Sequence, residues 1–203
     1  MQKTWIKIVA CALAVGVAAP AFAQAPAPGG QAPGTAAAGS SAVANPTYTT
    51  IFLETAVNRP AAEVWARVGK YCDIGEWLQV PCTITSGKDG EVGTVRSIGR
   101  EILVGKTDLS YTYTQPVQAG RPYNLYHGTL EARPVTPTTS KLVYTLVFDN
   151  SMLADDAARE RDRAQKSSTF MGALENMKIL AEGGTLPPAP TKGGGPKGGA
   201  PKQ

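Results

Sequence analysis

Apolar and polar residues alternate through 48–57, Y-T-T-I-F-L-E-T-A-V, with the β-branched and aromatic types that favour a strand. The period then changes. Pro60 suits a first helical turn, where its missing N–H would be unpaired anyway, and Val64, Trp65 and Val68 fall on one helical face. Ile74, Trp77 and Leu78 form a second apolar helical turn shortly after. Strand pattern resumes at 83–85, and Lys88-Asp89-Gly90 supplies turn chemistry before a third strand at 92–98. A fourth strand is expected at 99–104, with Gly105-Lys106 as a tight turn. In 109–114, Tyr111 and Tyr113 alternate with Ser110, Thr112 and Thr114. Strands at 123–132 and 142–148 complete the set, divided by the turn-rich stretch 134–140. Short strands joined by short polar turns imply an antiparallel meander.

The last element has a helical period. Asp155 and Asp156 suit its start by the helix-dipole argument, and Gly183-Gly184 suits its stop. Residues 157–168 are charged nearly all round, with Asp162 and Lys166 paired at i,i+4. Only the second half carries an apolar stripe, Phe170, Leu174, Met177 and Ala181. The helix is therefore expected to project its start into solvent and to pack its end on the sheet.

The pieces N-R-P-A-A-E-V-W-A-R-V-G, G-E-W-L, V-G-T-V-R, S-Y-T-Y-T and L-E-N-M-K-I-L-A stand in one order along residues 46–182. In that order and spacing the chain resembles the START-like helix-grip superfamily (SRPBCC), in its exported bacterial polyketide-cyclase-like branch. The resemblance implies an α+β helix-grip fold: a curved antiparallel sheet of about seven strands, two short helices, and a long C-terminal helix over a cavity. It also implies a small hydrophobic ligand. The chain departs from the family after V-G-T-V-R, where a longer hairpin is common and R-E-I-L-V-G-K stands here.

Residues outside that domain change the picture of where it works. Residues 1–23 combine Lys3 and Lys7, an apolar run at 8–19 and Ala21-Phe22-Ala23, the three parts of a secretory signal. The run is shorter than the roughly 20 residues a membrane span requires. Cleavage before Cys11, as in a lipoprotein, would leave almost no apolar stretch ahead of it. A periplasmic protein with no stable membrane insertion is expected. Residues 24–45 and 183–203 are Ala-, Pro- and Gly-rich segments with no means of building a core, expected to be disordered.

Of 20 Lys and Arg, two lie in the signal and three in the tail (Lys192, Lys197, Lys202), which leaves 15 against all 16 acidic residues in the domain. A nearly neutral domain has no basic footprint for nucleic acid. Signal cleavage would remove Cys11, leaving Cys72 and Cys82. In an oxidising compartment they are either bridged, with a loop-entropy contribution of about 2.8 kcal/mol, or two buried thiols. Two cysteines and one distant histidine do not make a metal site. No phosphate loop, dinucleotide fingerprint or nucleophile motif is present, so no cofactor is expected.

His127, the single histidine, either faces the cavity, where it would orient a ligand or move a proton, or is an ordinary strand residue. Tyr111, Tyr113, Tyr126 and Tyr144 either grip a ligand or pack across strands, and parity lets only one of Tyr126 and His127 point inward. Arg96 and Glu101 either place a charge in the cavity or pair with each other at the surface. Phe170, Leu174 and Met177 serve as core and cavity wall. The expected ligand set is thus Tyr111, Tyr113, Tyr144, His127, Arg96, Phe170, Leu174 and Met177. Binding of a lipid-like, aromatic or polyketide-like molecule is the leading expectation, without turnover. The alternative is a cyclase, aromatase or lyase with His127 as the weak catalytic candidate.

Overall fold

A computed structural model describes Val43 and residues 45–188; the expected signal segment, nearly all of the expected linker and most of the expected tail lie outside the described residues. Strand β1 (Tyr48–Val57) leads to helix α1 (Ala61–Val68) and the one-turn α2 (Ile74–Trp77). Strands β2 (Ile84–Ser86), β3 (Val95–Arg96), β4 (Ile102–Thr107), β5 (Ser110–Thr114), β6 (Asn124–Thr136) and β7 (Thr139–Asp149) follow, then helix α3 (Asp156–Ala181). The seven strands form one antiparallel sheet in the order β1-β7-β6-β5-β4-β3-β2. From β2 to β7 it is a meander, and β1 closes the far edge against β7. This is the α+β helix-grip architecture.

Local chemistry explains where the elements stop. The Asp155 carboxylate accepts from the Ala158 N–H at 2.7 Å and caps α3. At the other end the Gly184 N–H donates to the Ile179 carbonyl and the Gly183 N–H to that of Leu180, with Gly183 at φ +90°. These two bonds close the helix as a Schellman motif. Packing continues a little past the helix: Leu186 lies against the core, and the Gln79 side chain donates to the Pro187 carbonyl at 2.6 Å.

The boundaries differ from the expected ones at three places. Gly105-Lys106 is not a turn: both residues lie inside β4, where a register shift between Leu103 and Gly105 absorbs the glycine. The chain reverses after Thr107 instead, held by a 2.7 Å bond between the Thr107 and Ser110 hydroxyls. The third strand shrinks to Val95–Arg96, because Gly93 at φ +95° precedes it and the left-handed pair Gly99–Arg100 breaks the chain behind it. In the stretch 134–140, β6 and β7 stay paired almost to the tip, Pro134 opposite Ser140. Strand β5 pairs with β6 only as far as Glu131, so Pro134 has no second neighbour that needs its N–H.

The inner face of the sheet supplies Ile51, Tyr111, Tyr113, Leu130, Leu142, Tyr144, Leu146 and Phe148 to the core. Helix α1 adds Val64 and Val68, and α3 adds Ala173, Leu174, Met177 and Leu180. The charged first half of α3 does not simply project into solvent. Lys166, ion-paired with Asp162, places its Nζ 4.8 Å above the Phe148 ring and 5.2 Å above Tyr123, so the lysine stem covers aromatic surface.

Cys72 and Cys82 form a disulfide with Cα atoms 5.5 Å apart. It encloses α2 in a small ring and ties the segment after α1 to the chain leading into β2. Denatured, unreduced protein is expected to show no free thiol at Cys72 or Cys82 when labelled thiols are mapped to their peptides. Two titratable thiols would contradict the bridge.

Candidate functional site

Arg96, on the two-residue strand β3, points into the protein with no exposed surface. An unpaired guanidinium there would be strongly destabilising, and two partners, the Glu101 carboxylate and the Tyr71 carbonyl, meet it. Its Nε donates to a Glu101 carboxylate oxygen at 2.6 Å, and its Nη2 lies 2.5 Å from the same oxygen. Its Nη1 donates to the Tyr71 carbonyl at 2.6 Å. The Gly99–Arg100 reversal makes the ion pair possible, since it brings residue 101 back beside residue 96, and the Arg96 N–H donates to the Glu101 carbonyl at 2.9 Å.

Three tyrosine rings surround the guanidinium. Its carbon lies 4.3 Å from the ring centre of Tyr71, 4.8 Å from Tyr113 and 5.7 Å from Tyr111, within the range of cation–π attraction. Tyr113 and Tyr144 join hydroxyls at 2.9 Å. On the other side Glu101 accepts from the Gln115 side chain at 2.8 Å, and Gln115 accepts from the Tyr123 hydroxyl at 2.8 Å. Burial pushes Glu101 above the ordinary carboxylate range, opposed by Arg96 and by the Gln115 bond. Burial also works against the Arg96 charge, yet the surrounding tyrosines and Glu101 hold its pKa above the ordinary value.

In front of this cluster a cleft of about 600 Å³ opens between the end of α1, the β2–β3 turn and the β4–β5 hairpin. Its wall is Trp65, Tyr71, Leu103 and Tyr111; its rim carries Lys70, Lys106, Asp89 and Asp108. The Trp65 and Tyr111 ring centres are 5.6 Å apart, and Tyr71 meets Tyr111 edge-on at 5.5 Å. Gly69 allows this wall. The Trp65 side chain folds back over it, and a Cβ there would lie 2.3 Å from the indole.

The expected site residues divide. Tyr111 lines the cleft, and Arg96 lies directly behind it, joined to Glu101 in the interior rather than at the surface. Tyr113 and Tyr144 belong to the buried layer below. Phe170 rests on Tyr144 with ring centres 4.8 Å apart, and Leu174 and Met177 have no exposed surface. None of these α3 residues lines the cleft. His127 is exposed, on the outer face with Thr112 and Thr129, whose hydroxyls meet at 2.9 Å. Strand period alone would put Tyr123 on the same face as His127, and it does not, because Leu125 adopts φ +49° and the register shifts between Asn124 and His127. Tyr123 and Tyr126 thereby share the inner side at 4.8 Å, and the histidine stays outside.

Residues 49–181 match the family model described as polyketide cyclase / dehydrase and lipid transport. The chain belongs to this family. The description joins polyketide chemistry to lipid transport, and both point to a fold that holds hydrophobic small molecules. Among solved structures, a solution NMR structure of a Thermobifida fusca protein matches at 23% identity and TM-score 0.55, over 68% of this chain and 97% of that one. The Zhui aromatase/cyclase from a Streptomyces species matches at 19% identity and TM-score 0.52, covering 68% and 100%. A truncated norcoclaurine synthase from Thalictrum flavum matches at 11% identity and TM-score 0.51, covering 68% and 96%. At these identities the likeness is one of fold. Comparison with curated proteins returned no match.

In this member of the polyketide cyclase and lipid transport family, the cleft uses Trp65, Gly69, Lys70, Tyr71, Leu103 and Lys106, none of which the sequence pattern singled out as ligand-facing. Trp65 read as core because it shares the helical face of Val64 and Val68. The available signal was a tryptophan four residues before a glycine, with tyrosine next to a cysteine just beyond.

Proposed function

We propose that this is an exported, periplasmic protein that binds one small hydrophobic or amphipathic molecule, with its apolar body against Trp65, Tyr71 and Tyr111. The cleft with its aromatic wall is the observation that carries the reading. Its size suits a small-molecule site, and aromatic walls rimmed by a few polar groups are the common lining of such sites. Family membership supports the ligand class. Binding is favoured over turnover because His127, the side chain best suited to proton transfer near neutral pH, stands on the opposite face of the sheet.

The neutral fluorophore N-phenyl-1-naphthylamine tests the reading. Titration is expected to give saturable probe emission and quenching of tryptophan fluorescence, the quenching reduced in Trp65→Phe, which keeps Trp77 in the core. Ala66 is exposed and lines the cleft, so Ala66→Phe should fill space there with little effect on melting. A loss of affinity of roughly tenfold is expected, the equivalent of about 50–60 Å² of lost apolar burial. A probe that never saturates, or one indifferent to both substitutions, would place the ligand elsewhere.

A further inference from the structure

The buried ion pair behind the cleft is oriented. Arg96 is its near end: Nη1 is bonded to the Tyr71 carbonyl and lies 3.5 Å from the Tyr111 hydroxyl, and the guanidinium sits against the inner faces of both rings. Glu101 is its far end, bonded to Gln115 and through it linked to Tyr123. The pair is neutral as a whole, yet it is a dipole in a poorly polarisable interior, with its positive pole under the cleft wall. Burial raises the pKa of all four neighbouring tyrosines, Tyr71, Tyr111, Tyr113 and Tyr144, and the Arg96 charge opposes that rise at each.

The rim does not cancel this field. Lys70 and Lys106 stand against Asp89 and Asp108, two charges of each sign, and none of the four is ion-paired among the described residues. The walls add to the bias. A ring already holding a guanidinium on one face is a poorer seat for a second cation on the other, because the first has drawn on the same quadrupole. We propose that the cleft selects molecules carrying one anionic group, a carboxylate, sulfonate or phenolate, on an aromatic or otherwise flat apolar body. This selection rests on the binding reading above and adds the sign of the ligand to it.

Two probes with one skeleton separate the claims. 8-Anilino-1-naphthalenesulfonate is N-phenyl-1-naphthylamine with a sulfonate added. The wild-type protein is expected to bind the sulfonate several-fold more tightly than the neutral probe, a charge–dipole effect acting through the wall rather than a direct contact. Both titrations are read by quenching of tryptophan fluorescence, with Trp65→Phe as the control for the part that comes from the cleft. In the double variant Arg96→Met with Glu101→Leu, which removes the dipole and keeps the interior apolar, the ratio should fall to about one. Equal affinities in the wild type would overturn charge selection while leaving the binding site in place. A double variant that folds by circular dichroism and keeps the full preference would also overturn it, since the rim lysines would then be its source. Should that variant fail to fold, the wild-type ratio decides alone. Quenching by neither probe would instead remove the site itself, and the inference with it.

Discussion

Replacing Arg96 by methionine is expected to lower the stability of the domain by about 3–5 kcal/mol, because Glu101 would be left in the interior without its counter-charge. The guanidinium takes with it the Nε bond and the Nη2 ion contact to one Glu101 oxygen, and the Nη1 bond to the Tyr71 carbonyl that fixes the cleft wall. Only the Gln115 bond would remain to hold the carboxylate. The double variant Arg96→Met with Glu101→Leu should recover most of the loss, since exchanging a whole buried pair for apolar residues is commonly neutral or stabilising. Urea denaturation of the wild type, both single variants and the double variant gives the coupling between the two sites. A single variant within 1 kcal/mol of the wild type would mean that the interior around residue 101 is wet, and that the pair is not the organising element argued above.

Gly128→Ala is expected to cost about 2–3 kcal/mol, although alanine is ordinarily the better strand residue. A methyl built on Gly128 would lie 2.4 Å from Tyr113 Cζ and Oη. The ring has little room to move away, because its hydroxyl is bonded to Tyr144 and its inner surface faces the Arg96 guanidinium. For a domain of this size the cost corresponds to a melting temperature lower by roughly 10 °C. Gly128→Ala combined with Tyr113→Leu should regain part of that loss by removing the clash. A single variant that melts with the wild type would show that the aromatic layer behind the cleft is loosely held.

Much of the architecture is legible along the chain, because each element carries its own period. The alternation in 48–57 predicts β1 with its observed ends, and Pro60 and Gly183 mark helix boundaries through their own backbone chemistry. The site is less legible, for two physical reasons. Strand parity places Tyr111 inward and, counted from Leu130, His127 outward, yet one residue with positive φ, Leu125, brings Tyr123 to the inner side with Tyr126, and no pattern of residue types announces such a step. Arg96 and Glu101 pair as their proximity suggests; that they do so inside depends on Tyr71, which arrives from a different part of the chain to accept the third bond. Trp65 shows the same limit, since the helical stripe that makes it look like core does not reveal the glycine one turn later.

The partner of β1 is β7, with Tyr48 opposite Asp149 and Val57 opposite Ser140, so the first strand to leave the ribosome waits for the last. Every other strand pair joins neighbours in sequence, which makes the β1–β7 closure the most demanding loop to form. Until β7 and α3 have been synthesised, the apolar face of β1 has neither its ladder nor its cover. A chain arranged in this way stays open during synthesis. The disulfide between Cys72 and Cys82 is the opposite case: the two cysteines are 10 residues apart, so that closure is local and does not wait for the sheet.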